Sequence, residues 1–138
     1  MAIRVVRLGT PRSAGEGIRL GTVRRPPRGV PKRDFARRDF YDVWLPELAP
    51  TAATVAGALS EPWTAARWRH FEQTYRKEMA TPAARHLIEM LAALSKDTNF
   101  SVGCYCEDAT HCHRSLLARL LDEAGADMAA EPEDEAGR

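Results

Sequence analysis

The chain has 138 residues, of which 44% are hydrophobic and 28% are charged, and these are ordinary values for a soluble globular protein. No apolar run approaches the ~20 residues that a membrane helix needs, and the first residues lack the apolar segment of a secretory signal. Composition therefore argues against a membrane protein. We expect a cytoplasmic protein whose three cysteines are thiols or metal ligands rather than disulfides.

The net charge of +1 conceals a strong asymmetry along the chain. Residues 1–38 contain eleven lysines and arginines against two acidic residues, whereas residues 122–138 contain seven acidic residues against one arginine. A basic surface favours an anionic partner, although it is equally typical of a solvated face beside a solubilising tail. We predict an α/β domain over residues 1–126 and an acidic, disordered tail over residues 127–138.

The front of the chain alternates short strands with a loop. Runs of β-branched residues predict strands at residues 3–8 and 18–23. Residues 24–34 are predicted to form an arginine-rich loop, because three prolines there lack backbone donors and fix φ. Residues 40–50 are aromatic and predicted to be half-buried, either in the core or at a dimer surface, so the oligomeric state stays open.

Helical periodicity dominates the rest of the chain. Ser60 is predicted to cap one helix and Thr81 a second. Residues 99–106 predict a strand, and a leucine-rich helix follows from about Cys112 to a stop at Gly125. Helices between strands predict a single α/β domain with a mostly parallel sheet flanked by helices. The side chains predicted to face the core are Trp68, Phe71, Tyr75, Met79, Leu87, Leu91, Leu94, Leu116, Leu117, Leu120 and Leu121.

Residues 104–115, with the sequence CYCEDATHCHRS, contain all three cysteines and two of the four histidines. Strand side chains two residues apart point the same way, so Cys104 and Cys106 are predicted to share one face. Soft sulfur and nitrogen ligands in this pattern suit Zn²⁺ or iron, although Cys104 is equally compatible with a buried core position. The candidate metal ligands are Cys104, Cys106, Cys112 and one histidine, His113 or His111.

The helix that starts at about Cys112 predicts a second kind of chemistry. Ligands of open α/β sheets bind where a strand passes into a helix, and backbone N–H groups at a helix start favour anions there. His113 and Arg114 would oppose the helix dipole at this position unless something negative binds between them. We predict Cys112, His113 and Arg114 as catalytic residues, with Cys112 drawn toward the thiolate.

Two long segments resemble a known family. FSVGCYCEDATHCHRSLLARLL and RLGTVRRPPRGVPKRDFARRDFYDVWLPELAP are similar to signatures of the domain-of-unknown-function 488 (DUF488) family, and the second resembles its YeaO-like branch. The resemblance spans residues 4–125 and implies an α/β fold in which both signatures meet at one pocket, without an established reaction. Cys106 stands where many relatives carry Glu, and this additional thiol favours metal or redox chemistry. The matched residues are Arg24, Pro27, Arg28 and Gly29 in one signature and Cys104, Cys112, His113 and Arg114 in the other.

These patterns predict an electropositive pocket that binds a phosphate-bearing ligand, either a nucleotide or a nucleic acid. Arg24, Arg28 and Ser115 are the predicted ligand-binding residues beside the catalytic set. One alternative is a Zn²⁺ or iron module, and another is a non-catalytic interaction domain whose basic surface contacts an acidic partner. The sequence does not decide whether the protein is an enzyme.

Overall fold

The computed structural model describes residues 1–130. Most of the predicted acidic tail falls on residues 131–138, which lie outside the described residues. Before them, the backbone of residues 127–129 bonds with Ile3: the Ile3 N–H donates to the Asp127 carbonyl at 2.8 Å, and the Ala129 N–H donates to the Ile3 carbonyl at 2.8 Å. The predicted domain boundary after residue 126 stays a prediction.

Four strands form one sheet with the order β1-β4-β2-β3, and every neighbouring pair is parallel. The predicted α/β domain with a mostly parallel sheet is therefore confirmed. β4 lies between two partners, and all five of its residues are buried. The strands are β1 (Ile3–Arg7), β2 (Ile18–Gly21), β3 (Val43–Trp44) and β4 (Phe100–Cys104).

Four helices connect and cover these strands. They are α1 (Ala52–Leu59), α2 (Ala65–Met79), α3 (Pro82–Leu94) and α4 (His113–Glu123). Gly125 follows α4 with φ +91°, a conformation that glycine adopts without strain, so the predicted stop is confirmed.

The predicted helix start at Ser60 is wrong. Ser60 ends α1 instead, and its hydroxyl donates to the Gly57 carbonyl at 2.7 Å. Thr64 caps α2, where its hydroxyl accepts from the Arg67 N–H at 3.1 Å. Helix α1 was not predicted, because its small residues form no apolar stripe and none of them is buried.

The main core lies between the sheet and the helices. Phe71, Tyr75 and Met79 of α2 are buried there as predicted, together with Leu116, Leu117 and Leu121 of α4. Leu94 was expected to face inward, but it is 42% exposed because the buried stripe of α3 runs through Ile88 and Leu91. Within residues 1–130, no helix combines the length and the apolar character that crossing a bilayer requires.

Strand register brings three loops to the same edge of the sheet. Arg7 pairs with Cys104 and Gly21 pairs with Gly103, so β1, β2 and β4 end at nearly the same level. The chain segments that follow these strands, and the start of α4, therefore meet at the carboxyl edge. Side chains far apart in sequence become neighbours there.

Candidate functional site

Three cysteine sulfurs converge at the carboxyl edge of the sheet. The Sγ atoms of Cys104, Cys106 and Cys112 all lie within 4.8 Å of one another. Cys104 and Cys112 are buried and Cys106 is exposed, and none of the three forms a disulfide. These thiols could hold a metal ion, because soft sulfur ligands at this separation are the donors that Zn²⁺ and iron accept.

The backbone places each sulfur differently from the predicted arrangement. The predicted strand over residues 99–106 ends at Cys104, so Cys106 lies in the turn that follows rather than on the strand face. Arg7 of the neighbouring strand holds this turn: its Nε donates to the Tyr105 carbonyl at 3.2 Å and its NH2 to Glu107 Oε1 at 3.3 Å. A turn anchored to β1, rather than strand alternation, brings Cys106 beside Cys104.

A short 3₁₀ turn, Ala109–His111, returns the chain to Cys112. Asp108 caps this turn and accepts from the Thr110 N–H at 2.9 Å, and its other carboxylate oxygen lies 3.0 Å from His111 Nδ1. The His111 ring stacks on Trp63 of the segment before α2, with a centroid distance of 5.6 Å. His111 therefore fixes the loop against the helical layer. Neither of its ring nitrogens belongs to the group of possible ligand atoms that lie within 4.8 Å of one another.

His113 is buried and bonded at both ring nitrogens. Its Nε2 lies 2.5 Å from the Thr22 carbonyl oxygen, which can only accept, so Nε2 carries the proton. Burial lowers the pKa of His113, although the bond to Thr22 opposes this shift, and the ring is neutral at neutral pH. Nδ1 then carries a lone pair, and it faces Cys112 Sγ at 3.9 Å.

Arg114 is a buried cation with few partners. Its side chain is 7% exposed, and its one hydrogen bond to the described part of the chain runs from NH1 to the Val6 carbonyl at a long 3.4 Å. No carboxylate of residues 1–130 forms an ion pair with it. Since a buried charge is costly without compensation, this guanidinium calls for a negative group nearby.

Cys106 provides such a group within the protein. Hydrogen bonds from the thiols of Cys104 and Cys112, with a smaller contribution from the charge of Arg114, lower the pKa of Cys106 to about 2 against the opposing effect of burial. The Cys104 pKa rises to about 11, chiefly because its thiol donates to Cys106, and the Cys112 pKa rises for the same kind of reason. The centre thus combines one exposed thiolate, Cys106, with two buried thiols, and the predicted thiolate at Cys112 is wrong.

A second apolar cluster surrounds the buried thiols. Its buried members are Leu8, Val23, Tyr41, Cys104 and Cys112. Tyr41 was not among the predicted site residues, yet it is 4% exposed and its hydroxyl has no hydrogen-bond partner within the described chain. The ring packs against Gly21, where an added Cβ would lie 2.3 Å from a ring carbon. The sequence signal for this contact was Gly21 itself, a glycine within a predicted strand, because such close approach requires a missing side chain.

The predicted ligand-binding residues occupy different environments. Arg24 donates from Nε to the Pro50 carbonyl at 2.9 Å and from NH2 to the carbonyls of Pro46 and Ala49 at 3.0 and 3.2 Å. These bonds hold the segment before α1 against the loop that follows β2. Arg28 is exposed in the loop. Ligand binding by Arg24 and Arg28 stays a prediction.

Ser115 stabilises the start of α4. Its hydroxyl donates to the Cys112 carbonyl at 2.9 Å, and its backbone N–H donates to the same oxygen at 3.1 Å. Cys112 is the N-cap residue, and its side chain makes no capping hydrogen bond. The first turn of α4 therefore lacks a side-chain cap, and ligand binding by Ser115 also stays a prediction.

These features define an α/β domain in which a cysteine-histidine-arginine run begins the helix after the central strand. A family model described as "Active DUF488-N3 subclade" matches residues 3–125, and the chain belongs to the DUF488 family. No curated protein matches the chain, and neither does any solved structure. The predicted family is confirmed, whereas its YeaO-like branch stays a prediction.

Proposed function

We propose that the protein binds a thiophilic metal ion, with Zn²⁺ as the best match, through Cys104, Cys106 and Cys112. The observation that carries the proposal is the mutual approach of three sulfurs within 4.8 Å. Zn–S bonds of about 2.3 Å in tetrahedral geometry put sulfurs about 3.8 Å apart. The three side chains would need to close by about 1 Å or less from a separation of at most 4.8 Å, which rotamer adjustment can supply.

The charge of Arg114 supports this assignment. Three thiolates around a divalent cation carry one net negative charge. A buried guanidinium with one long hydrogen bond to the described chain is then compensated by the centre itself. No carboxylate of residues 1–130 pairs with Arg114, so an anionic centre is needed to offset the cost of burying its charge.

Three protein ligands leave one coordination position of a tetrahedral ion for water or substrate, as in catalytic rather than structural zinc sites. Cys106 is the exposed member, so the open position would lie on its side of the centre. A bound zinc ion supplies Lewis acidity and lowers the pKa of its water. Because a structural zinc site would be closed by a fourth protein ligand, we favour an enzyme over a purely structural module.

His113 is a weaker candidate for the fourth ligand. Its Nδ1 lies 3.9 Å from Cys112 Sγ, but His113 does not belong to the group of mutually close ligand atoms. The bond from Nε2 to the Thr22 carbonyl is nevertheless the kind of outer contact that orients ligating histidines. We therefore propose that His113 orients Cys112. Loss of metal in a His113 variant would instead assign it as a direct ligand. Free thiols also favour a reducing compartment such as the cytoplasm.

Elemental analysis of protein purified without chelator tests the metal assignment. We expect about one zinc or iron ion per chain in the wild type and a large loss in Cys106→Ser, whose exposed side chain can change without disturbing the core. His86→Ser, at an exposed position of α3, is the matched control and should keep the metal. Metal at background level in the wild type, or metal that does not depend on Cys106, would overturn the proposal.

The second candidate function is binding of a phosphate-bearing ligand, and Arg114 is the specific observation that favours it. Arg114 belongs to the first turn of α4, where no side chain caps the helix. Uncapped N–H groups, the helix dipole and a buried fork of donors together suit a phosphate group. This candidate is compatible with a metal centre, because a phosphate group can lie between the ion and Arg114.

A further inference from the structure

We propose that the basic loop, defined as residues 24–38, is a docking surface for the phosphate backbone of nucleic acid and leads a strand to the thiol centre. The proposal extends the proposed function by naming the substrate class. Only the chemistry expected at the thiols depends on the proposed metal site. The loop itself can be tested separately.

The basic loop carries an excess of uncompensated positive charge. Arg37 forms an ion pair with Asp34 at 2.6 Å, and Asp39 and Asp42 beyond the loop are both occupied by Arg12. The remaining cations of residues 25–38 are exposed and form no ion pair with the described chain. They are Arg25, Arg28, Lys32, Arg33 and Arg38.

The backbone of the loop is held in place although its cations face solvent. Arg24 fixes one end through its three bonds to carbonyl oxygens. The Arg12 NH2 donates to the Ala36 carbonyl at 3.4 Å, and the Phe35 ring packs edge-on against Tyr41 at 5.2 Å. Three prolines restrict the residues between these anchors. A pre-organised array of cations loses less entropy when it binds a polyanion than a flexible array does.

The loop is connected directly to the thiol centre. Tyr105, which lies between Cys104 and Cys106 in sequence, donates from its hydroxyl to the Arg25 carbonyl at 2.9 Å. Val23 and Phe35 pack in the same apolar cluster as the buried thiols. A chain of phosphates that follows the loop would therefore pass the exposed Cys106 and the start of α4.

The composition of the loop favours nucleic acid over a membrane or an acidic protein. Five of its six cations after residue 24 are arginines, whose planar forks bind phosphate in bidentate geometry. No large apolar side chain of the loop is exposed, although Ile18 and Val43 outside it are. A bilayer-binding segment needs such residues to insert, and a protein interface needs them at its centre. Exposed aromatic rings for base stacking are also missing from the loop, so we expect recognition of the backbone without sequence preference.

Fluorescence anisotropy with labelled 20-nucleotide single strands and duplexes of DNA and RNA tests the surface. For duplex DNA and five cations, we expect the logarithm of the binding constant to fall with the logarithm of salt concentration at a slope of about −4 to −5. A loop variant with Arg25→Gln, Arg28→Gln and Arg33→Gln should bind about tenfold or more weakly, with a slope smaller by about 2 to 3. Arg69→Gln, Lys77→Gln and Arg85→Gln, on the exposed surface of α2 and α3, remove the same charge and should change neither value appreciably.

Equal weakening in the loop variant and the matched helix variant would overturn the proposal, because it would mean that only the net charge matters. Tighter binding to phosphatidylserine vesicles than to nucleic acid would assign the loop to a membrane surface. Full displacement by poly-glutamate at equal charge would assign it to acidic proteins. The loop variant should keep the metal content of the wild type, and metal content is measured separately from nucleic-acid binding, so failure of the metal assignment and failure of the docking surface are distinguishable.

Discussion

The ring of His113 connects helix α4 to the end of strand β2: its Nε2 lies 2.5 Å from the carbonyl oxygen of Thr22, and both residues are buried. The same ring presents its unprotonated Nδ1 to Cys112 Sγ at 3.9 Å. One neutral imidazole therefore joins the start of α4 to the segment after β2 at the carboxyl edge of the sheet and contacts a thiol of the centre. Because the Thr22 carbonyl oxygen can only accept a hydrogen bond, Nε2 must donate and therefore carries the proton.

Replacing His113 should destabilise the protein through the Thr22 carbonyl. In His113→Ala the buried oxygen loses its partner, and we expect the free energy of unfolding to fall by about 1–3 kcal/mol. His113→Gln carries an amide N–H that can reach the same oxygen, so it should recover part of this loss. Urea denaturation of both variants measures the difference, and equal stability of His113→Ala and the wild type would contradict the role of this bond.

Alkylation should distinguish the three thiols. Hydrogen bonds from Cys104 and Cys112 lower the pKa of the exposed Cys106 far below that of an ordinary thiol, so this sulfur is a thiolate at neutral pH, whereas the pKa of the buried Cys104 is raised and its sulfur stays a thiol. We expect iodoacetamide to modify Cys106 first, at a rate nearly constant from pH 5 to pH 8. Peptide mass spectrometry after timed quenching, in the presence of chelator, measures this. An alkylation rate of Cys106 that rises tenfold per pH unit would show that Cys106 is an ordinary thiol and would contradict its lowered pKa.

The buried ion pair between Arg19 and Glu16 should make stability depend on acid. Arg19 Nε donates to Glu16 Oε2 at 2.6 Å, and the two side chains are 1% and 2% exposed. Burial raises the Glu16 pKa, but the bonds from Arg19 and from the Ser13 N–H outweigh it and lower the pKa below 4.5. Because the folded-state pKa is lower than the unfolded value, the stabilisation is complete above pH 4.5 and is lost as the pH falls through the folded pKa.

In Glu16→Gln this acid dependence should disappear, and the free energy of unfolding at pH 7 should fall by about 2 kcal/mol. Glu47→Gln, at an exposed position, is the control for stability at pH 7. Denaturation curves between pH 3 and pH 7 report both quantities. An unchanged acid slope in Glu16→Gln would mean that another group is responsible.

Arg114→Met should separate ligand binding from folding. The substitution removes a buried charge whose one hydrogen bond within the described chain is long, so we expect the stability of the ligand-free protein to change by less than about 1 kcal/mol. Stabilisation by inorganic phosphate or nucleotides in a thermal-shift assay should be lost, whereas Arg119→Met, on the exposed face of α4, should retain it. Equal ligand-induced shifts in the wild type and Arg114→Met would remove Arg114 from the site.

The sequence predicted the local elements better than the contacts of the site. Alternating β-branched runs and leucine spacing located β1, β2, β4, α2, α3 and α4, because burial of one face imposes a period on each element. α1 was missed since its small residues carry no such period. The convergence of Cys104 and Cys106 was predicted from strand alternation, but the strand ends at Cys104 and a turn held by Arg7 brings the sulfurs together.

The roles of the arginines were beyond sequence reasoning. Arg24 and Arg28 look alike in a basic run, yet Arg24 bonds carbonyl oxygens 22 to 26 residues away and Arg28 faces solvent. Arg19 reads as an ordinary strand residue, although it is 1% exposed and bonds Glu16 and three carbonyls. Such differences depend on contacts between residues far apart in the sequence, and these contacts produce no periodic pattern of residue types.

Cobalt substitution tests the central claim, a three-sulfur metal centre, most directly. Co²⁺ added to reduced, chelator-treated protein should give strong sulfur-to-cobalt charge-transfer absorption and the intense visible bands of a tetrahedral ion. The charge-transfer intensity should fall by well over one third in Cys106→Ser, because one of three thiolate ligands is removed and less cobalt is retained. Weak bands typical of octahedral cobalt in the wild type, or a spectrum unchanged in Cys106→Ser, would contradict the centre proposed at Cys104, Cys106 and Cys112.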